Sequence, residues 1–342
     1  MEKTILSGLN LGEIETLLEP LKASKFRAKQ IMNWVYLKSV SNIDEMTDLS
    51  LKFREQLKEI ATVTSTSVKR KQVSKDGTIK YLVEFPDGQC VETVLMRFDN
   101  RANLTACVSS QVGCAVNCSF CATGKGGFIR NLTASEIVEQ VLTIQRDTGL
   151  KVTNVVFMGQ GEPMLNLDNV LQAIEIFNIN CQIGARRITV STSGIAPKIP
   201  EFAKANNQST LAWSLHAPTD EIRNKIMPIN KKYPLAEMKK ALDKYFEIAG
   251  RRVTIEYLLI KDLTDTMDCA KKLAELLHSM KCNVNLIPYN PVIENDYKKP
   301  SNNAIMKFKY ILEHSGKKVT VRLERGADID AACGQLRGKV EK

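Results

Sequence analysis

No run of about 18 apolar residues occurs in this chain, so no segment is expected to cross a bilayer as a helix. Its first residues, Met1-Glu2-Lys3-Thr4, carry no apolar leader, and no secretion signal is expected. Low-complexity tracts and solenoid repeats are missing too. The most telling absence is a fourth cysteine. Cys114, Cys118 and Cys121 stand as C-x3-C-x2-C with no further ligand nearby. Close neighbours of this kind make poor disulfides. Structural zinc wants four ligands, usually in paired C-x2-C units. Three thiolates can instead hold three irons of a 4Fe–4S cluster and leave the fourth iron open to a substrate. The spacing therefore favours an open cluster over zinc. Nine cysteines without a leader point to the reducing cytoplasm, where clustered cysteines usually mean metal binding or catalysis.

The 342 residues are 44% hydrophobic and 25% charged, enough for a sizeable core in one barrel-sized domain with a small partner. The net charge is +10, spread over small groups such as Lys69-Arg70-Lys71, Arg186-Arg187, Lys239-Lys240 and Arg251-Arg252. Any one pair is an ordinary solvated surface. The total favours a polyanionic partner, nucleic acid first.

Residues 9–60 read as helical, with Leu11, Ile14, Leu17, Leu18 and Leu21, then Ile31, Trp34, Val35 and Leu37, at helical spacing. The period then changes to two. Ser67–Val73, Ile79–Phe85 and Cys90–Phe98 read as strands, with Asp76-Gly77 and Asp87-Gly88 as turns. Beyond Leu104, strand and helix alternate. Strands are expected at 104–109, 154–158, 187–191, 210–215, 253–260, 283–287 and 319–323. Helices are expected after the Thr133-Ala-Ser-Glu136 capping box and near 167–179, 235–249, 266–280 and 303–315. After Leu323 too little apolar content remains for another unit. This is an α/β chain with a parallel sheet, open or closed into a barrel.

In such folds function collects at the carboxyl ends of the strands. The three-cysteine loop follows the first parallel strand, Gly159-Gln160-Gly161-Glu162 the second, and Ser191-Thr192-Ser193-Gly194 the third. Ser214-Leu215-His216 ends the fourth, and Pro288-Tyr289-Asn290 follows the sixth. Glycines there permit close ligand approach, and Glu162 can accept from an ammonium group. His216 is equally readable as structural or functional. Cys107, just before the loop, reads as a small buried hydrophobe. Cys333, beside Gly334 in an expectedly mobile tail, looks delivered to a site. Cys90, Cys181, Cys269 and Cys282 read as packing residues.

Five longer strings add a resemblance. They are Cys107-Val-Ser-Ser-Gln-Val-Gly-Cys114, Phe157-Met-Gly-Gln-Gly-Glu-Pro163, Ser214-Leu-His216, Met227-Pro-Ile-Asn230 and Asp328-Ile-Asp-Ala-Ala-Cys-Gly-Gln-Leu336. With the cysteine trio, they resemble the radical S-adenosylmethionine superfamily and, within it, the RlmN/Cfr family of RNA methyltransferases. The likeness runs over nearly the whole chain and is weakest over the first 60 residues. It implies a partial (β/α)6 radical-SAM barrel whose first and last strands are edges. The implied division is a helical accessory RNA-binding domain (1–64), a β-meander extension (65–100), the barrel (101–323) and a tail (324–342).

The family's chemistry implies a role for each matched residue. C2 of adenine is electron-poor, so plain methyl transfer to it fails. Two S-adenosylmethionine molecules are used per turnover. One methylates Cys333; the other is reduced at the cluster to a 5′-deoxyadenosyl radical, which takes hydrogen from the methylated cysteine. The carbon radical adds to adenine. Proton loss to Glu92 and attack by Cys107 then release product and leave a disulfide for external reductant. By the same resemblance Cys114, Cys118 and Cys121 hold the cluster. Gly161, Glu162, Ser191, Ser214, Leu215, His216 and Asn290 line the S-adenosylmethionine site. Without the resemblance, Glu92 would read as an exposed strand glutamate. The implied partners are 23S ribosomal RNA, at its peptidyl-transferase centre, and transfer RNA. An electron donor such as flavodoxin or ferredoxin is implied as well, with no membrane contact and a monomeric chain. The family usually has methionine where this chain has Gln160, a change expected to matter little. Pro163 followed by Met164-Leu165-Asn166, and Arg325-Gly326, are more like the C2-methylating branch than the branch that methylates C8. A noncatalytic iron–sulfur or zinc RNA-binding protein is the alternative of another class; it would need neither Cys333 nor the strand-end residues.

Overall fold

The structure, a computed structural model, describes residues 3–98, 101–206, 208–293 and 295–338. The expected boundary at 100/101 and the last four tail residues therefore lie outside the described residues. Three helices open the chain: α1 (Leu11–Leu18), α2 (Lys25–Met32) and α3 (Leu51–Ile60). Asn10 caps α1 through a reciprocal box with Glu13, as a short polar side chain before an apolar-periodic run should. This unit leans directly on the body of the protein. A Cβ on Gly8 would lie 2.4 Å from that of Ser135, so only glycine allows the contact.

One ten-stranded sheet organises the rest. Strands β1 (Ser67–Val73), β2 (Ile79–Glu84), β3 (Cys90–Phe98) and β4 (Arg101–Cys107) run antiparallel to their neighbours. From β4 onward the pairing is parallel, through β5 (Asn154–Phe157), β6 (Ile188–Thr192), β7 (Thr210–Ser214), β8 (Val253–Leu259), β9 (Cys282–Pro288) and β10 (Lys318–Val321). The first barrel strand is thus not an edge, contrary to the expectation. β3 pairs with it, and the edges of the whole sheet are β1 and β10. The physical reason is the short meander, which gives β4 a hydrogen-bonding neighbour. β4 also ends earlier than expected, at Cys107. Ser109 has left the ladder, and its hydroxyl donates to the Glu92 carbonyl at 2.7 Å.

Helices pack outside: α4 (Ala134–Thr148), α5 (Leu167–Ile179), α6 (Lys198–Ala205), α7 (Asp220–Ile226), α8 (Leu235–Ala249), α9 (Met267–Leu277) and α10 (Asn302–His314). α4 shows why they form where they do. Thr133 and Glu136 make the expected capping box, and Gly149 closes the helix at φ +64°. Ile137, Val138, Val141, Leu142 and Ile144 are buried in the core. Two helices, α6 and α7, went unanticipated. Among the described residues no helix is long and apolar enough to cross a membrane.

Candidate active site at the barrel mouth

The loop after β4 carries the three cysteines. A short antiparallel pair, Gln111–Gly113 with Phe128–Asn131, pins its base. The amide of Cys114 donates to the Gly127 carbonyl at 2.8 Å, and Asn117 turns the loop in the left-handed region at φ +52°. Ser119 holds the far side through its amide to Ile226 and its hydroxyl to Tyr297. All three cysteines are free and half-buried. Burial pushes the Cys114 thiol up to about 12. It pushes Cys118 up too, and the adjacent Cys121 and Cys114 add to that effect. Three soft donors whose charges oppose one another on one fixed loop suit a strongly cationic iron–sulfur centre, which binds the deprotonated form. Among the described residues no three His, Cys, Asp or Glu side chains close on a single ion.

The other strand ends meet this loop. Gly161 lies at φ +101°, and a Cβ there would come within 2.6 Å of Gln111. Glu162 is buried; Ser193 donates to it from its amide (2.7 Å) and hydroxyl (2.6 Å), and Met164 from its amide (3.0 Å). Burial raises its carboxyl, while the Ser193 bonds oppose the shift. Ser191 and Ser214 share a hydrogen bond at 3.1 Å. Leu215 is fully buried, its amide turned onto the Glu256 carbonyl.

His216 sits at φ +59°, and its Nδ1 accepts from the Leu258 amide at 3.1 Å. Burial, then nearby Arg223, lowers its pKa to about 3, so the ring is neutral and carries its proton on Nε2. The ring packs edge-on against Phe120, between the second and third cysteines, at 5.0 Å. It thereby braces the cysteine loop.

Arg223 was not foreseen. It is completely buried and donates to the carbonyls of Ser193, Ser214 and Leu215 and to Asn230 Oδ1. One guanidinium thus ties together the ends of β6 and β7. The Met227-Pro-Ile-Asn230 string was its only trace in the sequence, through Asn230.

The tail crosses the mouth. Asp76, in the first meander turn, accepts from the Gly326 amide at 3.0 Å. Ser74 and the Lys75 amide hold Asp328. Beyond Cys333 the tail is fastened to the cysteine loop itself: the Ala122 amide donates to the Gly334 carbonyl (2.8 Å), and Thr123 Oγ1 to the Leu336 carbonyl (2.7 Å). Asn290 Nδ2 donates to the Cys333 carbonyl at 3.2 Å. A cavity of about 700 Å³ lies beneath, lined by Cys107, Met158, Glu256, Asn290, Arg322 and Cys333 among others. Burial, and then the neighbouring Cys333, pushes the Cys107 thiol up to about 12, while Arg322 opposes. Arg322 in turn is held charged chiefly by Cys333.

Glu92 is not the exposed strand glutamate of the sequence reading. It is buried beside the tail, 2.9 Å from Lys80 Nζ. Gln160 is buried as well, and its Oε1 accepts the Glu92 amide at 2.8 Å. This position therefore contacts the backbone of the candidate proton acceptor.

The Asp76 anchor has a pH signature. Burial pushes its carboxyl up, but bonds from Thr78, Gly326 and Ser74 outweigh that and hold it at about 2. A depressed carboxylate contributes stability above its unfolded pKa and loses it as pH falls towards the folded value. Equilibrium unfolding should therefore show a contribution of roughly 2 kcal/mol, present at pH 5 and fading between about pH 4 and 2. Asp76→Asn should flatten that part of the profile; an unchanged profile would contradict it.

With this geometry in view, the comparisons are direct. Residues 108–277 match the Radical SAM superfamily, and residues 4–63 match the ribosomal RNA large subunit methyltransferase N-terminal domain. The chain is 47% identical over 340 residues to a probable dual-specificity RNA methyltransferase RlmN of Thermoanaerobacter sp. (strain X514), covering 98% of each chain. It is 46% identical over 349 residues to the dual-specificity RNA methyltransferase RlmN of Pseudomonas entomophila (strain L48), covering 99% of this chain and 91% of the relative. A solved radical SAM methyltransferase from Sphaerobacter thermophilus superposes with a TM-score of 0.94 at 43% identity, over 98% of this chain and 100% of that one. The chain belongs to the RlmN family of radical S-adenosylmethionine RNA methyltransferases.

Proposed function

We propose that this chain methylates C2 of adenine in 23S ribosomal RNA and in transfer RNA, consuming two S-adenosylmethionine molecules per turnover. The observation that supports the reading best is the convergence of Cys107 and Cys333 on one cavity, under a tail fastened to the three-cysteine loop. In this reading Cys114, Cys118 and Cys121 hold the cluster. Gly161, Glu162, Ser191, Ser214, Leu215, His216 and Asn290 surround the S-adenosylmethionine. When bound, the two groups supply a methyl group and a carbon radical able to abstract hydrogen.

The protein's own residues do the rest. The Cys333 sulfur bonds to the methyl carbon as the methyl–sulfonium bond breaks, and the thiol proton leaves to solvent. After one hydrogen atom is removed from that S-methyl group, its carbon joins adenine C2. Glu92 then takes the C2 proton as the adduct gives up one electron, for which the oxidised iron–sulfur cluster would be the acceptor, and the aromatic ring is restored. Cys107 sulfur next bonds to Cys333 sulfur as the carbon–sulfur bond breaks; the electron pair stays on carbon, which takes a proton and becomes the product methyl. Cys107 is held as a thiol by its burial, and Arg322 is the charge that favours its thiolate when attack is due. A thiol donor must then reduce the disulfide, and an electron donor such as flavodoxin or ferredoxin must supply the cluster. We place the helical residues 1–64 against the RNA, followed by the meander at 65–100, the barrel at 101–323 and the tail at 324–342, in a monomer working in the cytoplasm.

The test is nucleoside mass spectrometry after incubating reduced, iron-loaded enzyme with each RNA. 2-Methyladenosine is expected from both. 8-Methyladenosine, or no methylated base with either RNA, would overturn the reading.

A further inference from the structure

Lys80 lies on β2 opposite Val94 of β3, and Leu82 lies opposite Glu92. Lys80 and Glu92 therefore share one face of the strand pair as diagonal neighbours. Both are buried, with Nζ 2.9 Å from Glu92 Oε1. The same ammonium donates to the carbonyl of Asp330 at 3.1 Å. The second Glu92 oxygen accepts the amides of Arg337 (2.5 Å) and Gly338 (3.1 Å). Lys80 and Glu92 together thus grip the tail three residues before Cys333 and four to five after it. Gly338 fits because it has no side chain; a Cβ there would come within 2.6 Å of the Gln160 amide. The other charged groups lining this pocket are Arg70, Asp330 and Arg337.

A buried ammonium is retained only where it is paired and hydrogen-bonded. Lys80 has both a carboxylate and a carbonyl, and they belong to the two parts of the site that must be in register. We propose that Lys80 is a positioning residue for the methylation reaction, holding Glu92 and the Cys333 tail as one unit. The proposal rests on the reading of Glu92 as proton acceptor. It concerns the step after the carbon–carbon bond forms, when Glu92 takes the C2 proton. Misplacing Glu92 should let adducts form at Cys333 but slow their release.

Lys80→Met, Lys80→Arg and Glu92→Gln are compared in the full-length, iron-loaded enzyme. Denaturing gels count RNA–protein adduct, nucleoside analysis counts product, and hydrogen exchange follows the amides of residues 330–338. For Lys80→Met we expect product formation to fall by about tenfold to a hundredfold, adduct to accumulate, and exchange in the tail to quicken. Lys80→Arg should restore product to within about threefold, because a guanidinium can make both contacts. An unchanged Lys80→Met enzyme would overturn the proposal. So would adduct and product falling in equal proportion, since that marks general loss of the site. Wild-type turnover by Glu92→Gln would instead remove the assignment of Glu92 itself. A defective Glu92→Gln beside a normal Lys80→Met sinks only the role of Lys80.

Discussion

Cys333→Ala will form no methylated adenine above a background at least about a thousandfold below wild type, while binding iron normally. The size of the effect follows from the chemistry. If the Cys333 sulfur is the only acceptor of the first methyl group, no slower parallel route exists once it is gone. The structure explains why the variant should otherwise be intact. What holds the tail around this residue is its own carbonyl, the Gly334 and Leu336 carbonyls, and the amides of Arg337 and Gly338. None of these bonds uses the thiol. Iron content, tail hydrogen exchange and RNA binding should stay at wild-type values. Loss of iron together with activity would show that the thiol has a structural role instead.

Cys107→Ala should behave in the opposite way. Chemistry proceeds as far as the covalent adduct and stops, because no thiol remains to attack Cys333. RNA should accumulate on the protein, approaching about one strand per chain, while product falls at least about a hundredfold. The fold should tolerate the change. Cys107 is buried with Val94 and Leu336 in a small apolar cluster, and removing one sulfur there costs on the order of 1 kcal/mol. Gel electrophoresis under denaturing conditions, with and without nuclease, reads the result. A turnover-competent Cys107→Ala enzyme, or one that forms no adduct while Cys333 is methylated, would remove Cys107 from the mechanism. The two variants together discriminate the cysteines: one blocks entry to the adduct, the other exit from it.

Much of this was legible in the sequence, for reasons particular to each feature. The barrel helices near 167–179 and 235–249 fall where the periodicity put them, because each buries one long apolar stripe. The two overlooked helices are short. α6 contains Pro200, which reads as a breaker but is tolerated in a first turn, and α7 has two apolar residues in seven. The strand-end rule singled out segments that do meet at one rim, Glu162 against Ser193 and Ser191 against Ser214. It was silent about Arg223, because nothing local distinguishes a buried arginine on a charged helix from a solvated one. What joins Arg223 to its carbonyl partners is the pairing of β6 with β7, which brings Ser193 beside Ser214 and Leu215. Lys80 and Glu92 were opaque for the same reason. Both belong to a meander that alternates well enough to suggest one wet face, and only the tail, about 250 residues later, makes that face dry.

The measurement that bears most directly on the whole account follows the isotopes of the methyl group. Enzyme whose Cys333 starts unmethylated is supplied with S-adenosylmethionine carrying a fully deuterated methyl group, and the methylated adenosine is weighed. Passage through Cys333 removes one deuterium before the carbon reaches the base and returns a proton at release. The product should therefore be 2-methyladenosine with two deuterium atoms in its methyl group. Retention of all three would mean that the methyl group travels to adenine in one piece, and the roles given to Cys333, Cys107 and Glu92 would fall together.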